Sequence, residues 1–372
     1  MYFDLKPKAR REDLYDRERE LEDLMRALVS GKYPLTVVTG IRRLGKTSLL
    51  LVAFSEVPGV LVDLRGVGQS RATLYRRLSS AINRFAEERA GLWERVVQGL
   101  RRVSGVQVSE FGVSLSWGER RADLVELLSR LAEYGVAVAF DEAQSLRGTL
   151  KREFAEILAY VYDHVDVKVV LTGSEVGVLY DFIGVEDPEA PLYGRDFHEI
   201  RLSRFDHERS LDFLRKGFEQ EGLEVDDEVL EYACRKLNGI VGWLVTFGVR
   251  CVERGARKEV VDEVLEEASR LVAAEFEKFL ESHKPAESRI LACAKAIADG
   301  ENTWSRIKRR LEDAERGEIA DPVLHRALRA LVKASYVERI VEGRNVYYKI
   351  ADPVLAHALR GGKGGKPPHH RY

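Results

Sequence analysis

The sequence predicts an α/β protein whose parallel sheet is covered by helices on both faces and is followed by a helical domain and a small helix-plus-hairpin domain. Three observations carry this. Five short apolar runs, LTVVTG (35–40), VLVDL (60–64), VAVAF (136–140), VKVVLTG (167–173) and FHEIRL (197–202), are separated mostly by stretches of helical periodicity. Strands alternating with helices indicate a parallel sheet covered on both faces. After residue 203 such runs stop and amphipathic helical text continues to about residue 284.

The elements follow in order. Residues 14–30 set Leu14, Leu21, Leu24, Leu28 and Val29 on one helical stripe, with Asp16 as the expected N-cap. Pro34 opens the first strand, which runs through a glycine loop into the helical KTSLLLVAF. Residues 103–117, VSGVQVSEFGVSLSW, alternate with period two around glycines and predict an inserted β-hairpin. The helical text after 203 breaks at LNGIVGW (237–243). From Pro285, three short helices precede SYVERIV and NVYYKI, joined by EGR, which is the order of a winged helix. The expected domains are therefore 1–203, 204–284 and 285–360, with 361–372, rich in Gly, Lys, Pro and His, as a disordered tail.

Composition bounds the function. The 372 residues are 45% hydrophobic and 32% charged, which excludes a disordered or fibrous chain. Three cysteines without CxxC spacing exclude a disulfide framework or a zinc ribbon and fit a reducing cytoplasm. No apolar stretch has the length of a signal peptide or a membrane span, so a cytoplasmic protein without a membrane partner is expected. Five Gln, four Asn and two Met among abundant Arg and Glu resemble the composition of hyperthermophile proteins.

The chemistry is written in three strand ends. Gly40-Ile41-Arg42-Arg43-Leu44-Gly45-Lys46-Thr47 fits GxxxxGK[ST] between a predicted strand and a predicted helix. Such a loop turns successive N–H groups toward phosphate oxygens, and the helix N-terminus adds its positive dipole end. The nucleotide-binding candidates are thus Gly40, Arg42, Arg43, Leu44, Gly45, Lys46, Thr47 and Ser48. Lys46 is expected on the β and γ phosphates of ATP and the Thr47 hydroxyl on Mg²⁺. VAVAF-Asp141-Glu142 supplies the second requirement: Asp141 to hold Mg²⁺ through water, Glu142 to orient and deprotonate the attacking water. At the end of Leu171-Thr172-Gly173-Ser174, Thr172 or Ser174 is available to the γ-phosphate or to that water, Thr172 fitting the strand tip better. In PLYGR, Arg195 is either a finger or sensor for transition-state charge or one half of a structural salt bridge.

Tyr15-Asp16-Arg17-Glu18, GIRRLGKT, AFDEAQ, LTGSEVG, PLYGR and the terminal YKIADPVL together resemble the archaeal ATPase family within the STAND group of AAA-like P-loop proteins. The resemblance spans nearly the whole chain. It implies a P-loop NTPase sheet of the ASCE class ordered 5-1-4-3-2, a helical lid, a C-terminal winged helix, and ATP or ADP with Mg²⁺ between core and lid. It also implies that Asp16 and Arg17 lie near the adenine. The chain departs from related proteins in its lid, where Asn238-Gly239-Ile240-Val241-Gly242-Trp243 has valine in place of the expected proline.

The net charge of −2 conceals an asymmetry. Residues 285–372 hold 17 basic against 11 acidic residues, net +6, whereas residues 1–284 hold 42 against 50, net −8. On the expected third helix of the winged domain, His325, Arg326, Arg329 and Lys333 share a face; Arg306 and Arg309 lie on the second helix and Arg344 at the wing tip. A helix entering a major groove with phosphate contacts beside it has this pattern. The expected function is a Mg²⁺-dependent ATPase whose nucleotide cycle switches the lid and winged helix. The alternatives are a nucleotide-gated protein that binds double-stranded DNA, similar to origin-recognition ATPases, or a signalling switch whose winged helix grips a protein.

Overall fold

The computed structural model describes residues 1–30, 32–109, 112–116 and 123–361; the expected tail falls outside these apart from Gly361. The described chain forms two compact units, residues 6–203 and residues 1–5 together with 204 onward.

The first unit contains α1 (Glu18–Val29), β1 (Leu35–Thr39), α2 (Lys46–Glu56), β2 (Gly59–Asp63), α3 (Arg71–Glu88) and α4 (Ala90–Leu100). It continues with β3 (Val106–Ser109), β4 (Gly112–Leu115), α5 (Leu124–Glu133), β5 (Ala137–Asp141), α6 (Gly148–His164), β6 (Val169–Gly173), α7 (Val176–Ile183) and β7 (His198–Arg201). Five of the strands form one sheet in the order β2-β5-β6-β1-β7, all pairs parallel, which is the expected order read from the other edge. β1, β5 and β6 are buried at every residue, while the edge strands β2 and β7 alternate. Val37, Val138, Phe140 and Leu171 face a core closed by α3 to α7. Val38, Ala139, Val170 and Ile200 face the opposite core, under α1 and α2. The period of two along each strand therefore divides one apolar run between two helical layers. The inserted hairpin forms, with β3 and β4 antiparallel; residues 110–111 and 117 of its expected span lie outside the described ones.

Two expectations are corrected in this unit. The N-cap position of α1 is Arg17, and Asp16, the expected cap, adopts a left-handed backbone (φ 49°) one residue earlier. Residues 1–5, expected with the nucleotide core, pack into the second unit, because the Phe3 ring fills space that exists there only over Gly217 and Gly248.

The second unit holds α8 (His207–Gln220), α9 (Asp227–Leu237), α10 (Val241–Arg254), α11 (Lys258–Glu281), α12 (Glu287–Ala298), α13 (Trp304–Glu315), α14 (Asp321–Lys333), β8 (Val337–Glu342), β9 (Asn345–Ile350) and α15 (Pro353–Leu359). Trp243, in the segment that departs from the expected lid motif, is buried in this unit's core. The antiparallel pair of β8 and β9 is the wing. The expected boundary at 284/285 falls inside one compact body. Tyr336 packs its ring at 4.9 Å against both Phe276 and Phe279 of α11 and donates its hydroxyl to the Glu275 carbonyl at 3.2 Å. α15 also lies against α11. No helix of the described residues is long and apolar enough to cross a membrane.

Candidate nucleotide site

The loop between β1 and α2 is shaped by backbone that few residues adopt. Gly40 has φ 142° and passes so close to the chain leaving β7 that a Cβ would stand 2.8 Å from the Leu202 carbonyl oxygen. Arg43 (φ 67°) and Gly45 (φ 92°) are left-handed, and Leu44 is buried, anchoring the loop's inner side. α2 then starts at Lys46 with no side chain capping its amides and no acidic residue in its first turn. An uncapped, acid-free helix start offers unsatisfied N–H groups and positive dipole to an anion.

Lys46 is 5% exposed and donates to the Gly40 carbonyl at 2.7 Å and the Ile41 carbonyl at 3.0 Å. Burial pushes its pKa down; Glu142 and Asp141 oppose that shift, and Arg42 adds to it. The lysine therefore waits folded against its own loop, its charge only partly compensated. Thr47 donates to Asp141 Oδ2 at 2.8 Å, so the two expected Mg²⁺ ligands already touch across 94 residues of sequence. One hydroxyl and one carboxylate fit this ion, which takes few protein oxygens and keeps its remaining positions for water and phosphate. Burial, reinforced by the neighbouring Glu142, raises the Asp141 pKa, while the Thr172 and Thr47 hydroxyls pull it down.

Thr172 lies between the two acidic residues. Its hydroxyl is fully buried, donates to Asp141 Oδ1 and accepts from the Glu142 amide at 3.1 Å. A hydroxyl has one proton to give. Here that proton goes to Asp141, so the Thr172 hydroxyl ties the Asp141 carboxylate to the Glu142 backbone. Ser174 donates to Glu142 Oε2 at 2.7 Å. Gln144, absent from the sequence-level candidates, is buried and donates from Nε2 to Glu142 and to Ser174, while its Oε1 has no hydrogen-bond partner among the described residues. Glu142 itself sits at φ 56°, a costly conformation for a non-glycine residue that active sites retain where surroundings enforce it. Gln144 was visible in AFDEAQ, but only its burial beneath Gly173 gives it a role.

The remaining candidates lie apart from this cluster. Ser48 Oγ accepts from the Lys8 amide at 3.0 Å, holding the leader along α2. Arg17 is buried and donates to the Ser203 carbonyl at 2.7 Å, to the Asp16 carbonyl and to Glu20, clamping the start of α1 to the exit of β7. Arg195 forms the salt bridge rather than a contact to the loop: Nε lies 3.0 Å from Asp163 Oδ1, and a further guanidinium nitrogen donates to the Pro191 carbonyl. It precedes β7, whose His198 is level with Thr36 at the beginning of β1, whereas the phosphate loop leaves the other end of β1. At 3.3 Å per residue, Arg195 is on the order of 20 Å from that loop. In this structure its partners are Asp163 and the Pro191 carbonyl, at the end of the sheet away from that loop.

In the winged-helix part, His325, Arg326 and Arg329 are exposed on α14, and Lys333 is half-buried. At 100° per residue these four span an arc of about 100°. Arg306 and Arg309 are exposed on α13, and Arg344 is exposed in the turn between β8 and β9. Among the described residues Arg306, Arg309, Arg326 and Arg344 make no ion pair. Lys308, by contrast, is held by Asp321 at 2.8 Å.

Comparison with known proteins matches residues 14–247 to the family of ATPase domains predominantly from Archaea, and residues 284–351 to the C-terminal winged helix-turn-helix domain of MCM proteins. Among solved structures, the Walker-type ATPase paby2304 of Pyrococcus abyssi is 37% identical over 97% of this chain and 100% of that one, with a TM-score of 0.80. The Aeropyrum pernix ORC2 protein, solved as ADPNP–ADP complexes, is 15% identical over 93% of this chain and 92% of that one, with a TM-score of 0.55, and shares the fold. No curated protein matches the sequence.

Proposed function

The chain belongs to the family of ATPase domains found predominantly in Archaea, and on that premise we propose that it is a Mg²⁺-dependent ATPase whose nucleotide cycle repositions its helical and winged-helix unit. The observation that carries the reading is the convergence of Lys46, Thr47, Asp141 and Glu142 from two strand ends onto one uncapped helix start. Lys46 and the loop amides would hold the phosphates. Thr47 and Asp141 would hold Mg²⁺, which supplies neutralisation of phosphate charge when bound. Glu142, kept in place by Ser174 and Gln144, would orient the attacking water and take its proton. The winged helix is packed on α11, so any displacement of the helical elements would carry it along.

The wild-type chain is expected to turn over ATP with Mg²⁺. Lys46→Ala is expected to weaken ATP binding about 10- to 100-fold, since a charge-assisted hydrogen bond is worth about 1.5–3 kcal/mol. Titration calorimetry with a nonhydrolysable analogue reads this, and unchanged affinity would remove Lys46 from the site.

The cationic face of α14 favours duplex DNA as the partner of the winged helix. Binding followed by fluorescence anisotropy is expected to fall linearly with log salt, and replacing Arg326 and Arg329 together by Ala is expected to reduce that slope by about 2. Salt-independent or undetectable binding would point instead to a protein partner.

A further inference from the structure

Transition-state charge in phosphoryl transfer needs a cation beyond the loop lysine, and arginine is the usual source. Arg195 is at the wrong end of the sheet to supply it within the chain. Arg42 is the third residue of the phosphate loop itself, and its guanidinium lies 3.1 Å from Glu175 Oε1, at the start of α7. It is close enough to Lys46 for the two charges to oppose each other. Glu175 stands at the N-cap position of α7, yet its carboxylate makes no capping bond to that helix and is turned to Arg42. The segment it ends serves the site at each alternate residue and at its tip: Thr172 bonds Asp141, Ser174 bonds Glu142 and Glu175 bonds Arg42.

We infer that Arg42 is the arginine that stabilises charge on the transferring phosphoryl group, and that Glu175 parks it until the nucleotide arrives. The Arg42 side chain is 38% exposed and that of Glu175 20%, and an ion pair so open to water is weak. A γ-phosphate offers the same guanidinium a bidentate, doubly charged acceptor, which is the stronger partner. The inference rests on the ATPase reading above. In the hydrolytic step the water oxygen bonds to the γ-phosphorus and the bond from that phosphorus to the β–γ bridging oxygen breaks. Its electron pair stays on ADP, and the water proton passes to Glu142. Arg42 forms no covalent bond; it donates N–H groups to the γ-phosphoryl oxygens as their charge redistributes.

The test uses the full chain, with turnover and with separate titrations of ADP and of a nonhydrolysable ATP analogue. Arg42→Ala is expected to lower kcat about 10³-fold, to weaken the ATP analogue and to leave ADP affinity within twofold. Arg42→Lys should recover only a small part, because an ammonium is not a bidentate donor. Glu175→Gln should lower the KM for ATP severalfold by removing the competing carboxylate. If Arg42→Ala keeps kcat within threefold of wild type, loses ADP affinity as much as ATP affinity, or is matched by an equal kcat loss in Glu175→Gln, the pair is structural and the inference falls. A wild-type chain without turnover would overturn the ATPase reading instead, and the ATP-to-ADP affinity ratio of Arg42→Ala would still decide whether Arg42 meets the γ-phosphate.

Discussion

Replacing Glu142 by Gln is expected to reduce ATP hydrolysis by about 10²- to 10⁴-fold while leaving ATP affinity within a few-fold of wild type. The range is the usual contribution of a positioned general base. The substitution separates chemistry from folding, because a Gln side chain keeps the shape and one oxygen to accept from Ser174 Oγ, which lies 2.7 Å from Glu142 Oε2. What it removes is the basic lone pair. The phosphate-holding groups are untouched: Lys46 and Thr47 belong to another strand end, and Asp141 keeps its bonds to Thr47 and Thr172. Single-turnover hydrolysis beside analogue binding reads the two effects separately. Hydrolysis at the wild-type rate would exclude Glu142 as the base, and joint loss of binding would mean that the residue supports the site's architecture.

The second large effect is expected far from the phosphate loop. Phe3→Ala should destabilise the second unit by about 3–5 kcal/mol, the usual cost of emptying a buried phenyl site. The ring is only 8% exposed and meets Phe218 edge-on at 4.8 Å and Phe213 at 6.0 Å. Its seat is the missing Cβ of two glycines: a Cβ on Gly217 or on Gly248 would lie 2.3 Å from the ring. Such a site has no small side chain that can move in to fill it, so the cavity stays open and the cost is at the high end of the range. In a unit of this size the expected fall in its melting temperature is about 6–20 °C. Phe3→Leu should restore most of it. A transition unmoved by Phe3→Ala in calorimetry would show that the first five residues are not part of that unit's core.

The phosphate loop, the carboxylate strand and the five-strand sheet were legible because each depends on residues near one another in sequence. Gly40, Gly45, Lys46 and Thr47 must stand at fixed spacing to form the phosphate-loop motif, and strands buried on both faces are mostly apolar. The winged helix was legible for the same reason, as a fixed order of short elements. Less could be read where a residue's role depends on which end of the sheet it leaves. PLYGR and GIRRLGKT both offer arginine, and nothing local distinguishes Arg42, in the phosphate loop, from Arg195, bound to Asp163. Nor does sequence give a hydroxyl's direction: Thr172 and Ser174 were both candidates for the phosphate or the water, and the structure turns their hydroxyls to the carboxylates of Asp141 and Glu142.

The sequence by itself determined the element order, the phosphate-loop motif and the opposed charges of the two parts of the chain, since periodicity, glycine spacing and ionisable groups are properties of short stretches. Only the tertiary structure decided that Phe3 belongs to the second unit, that the winged helix is packed on α11, that Gln144 supports Glu142, and that Arg42 rather than Arg195 stands at the phosphate loop. The reason is physical: these contacts join residues separated by up to more than two hundred positions, and their existence depends on space left by side chains elsewhere in the fold.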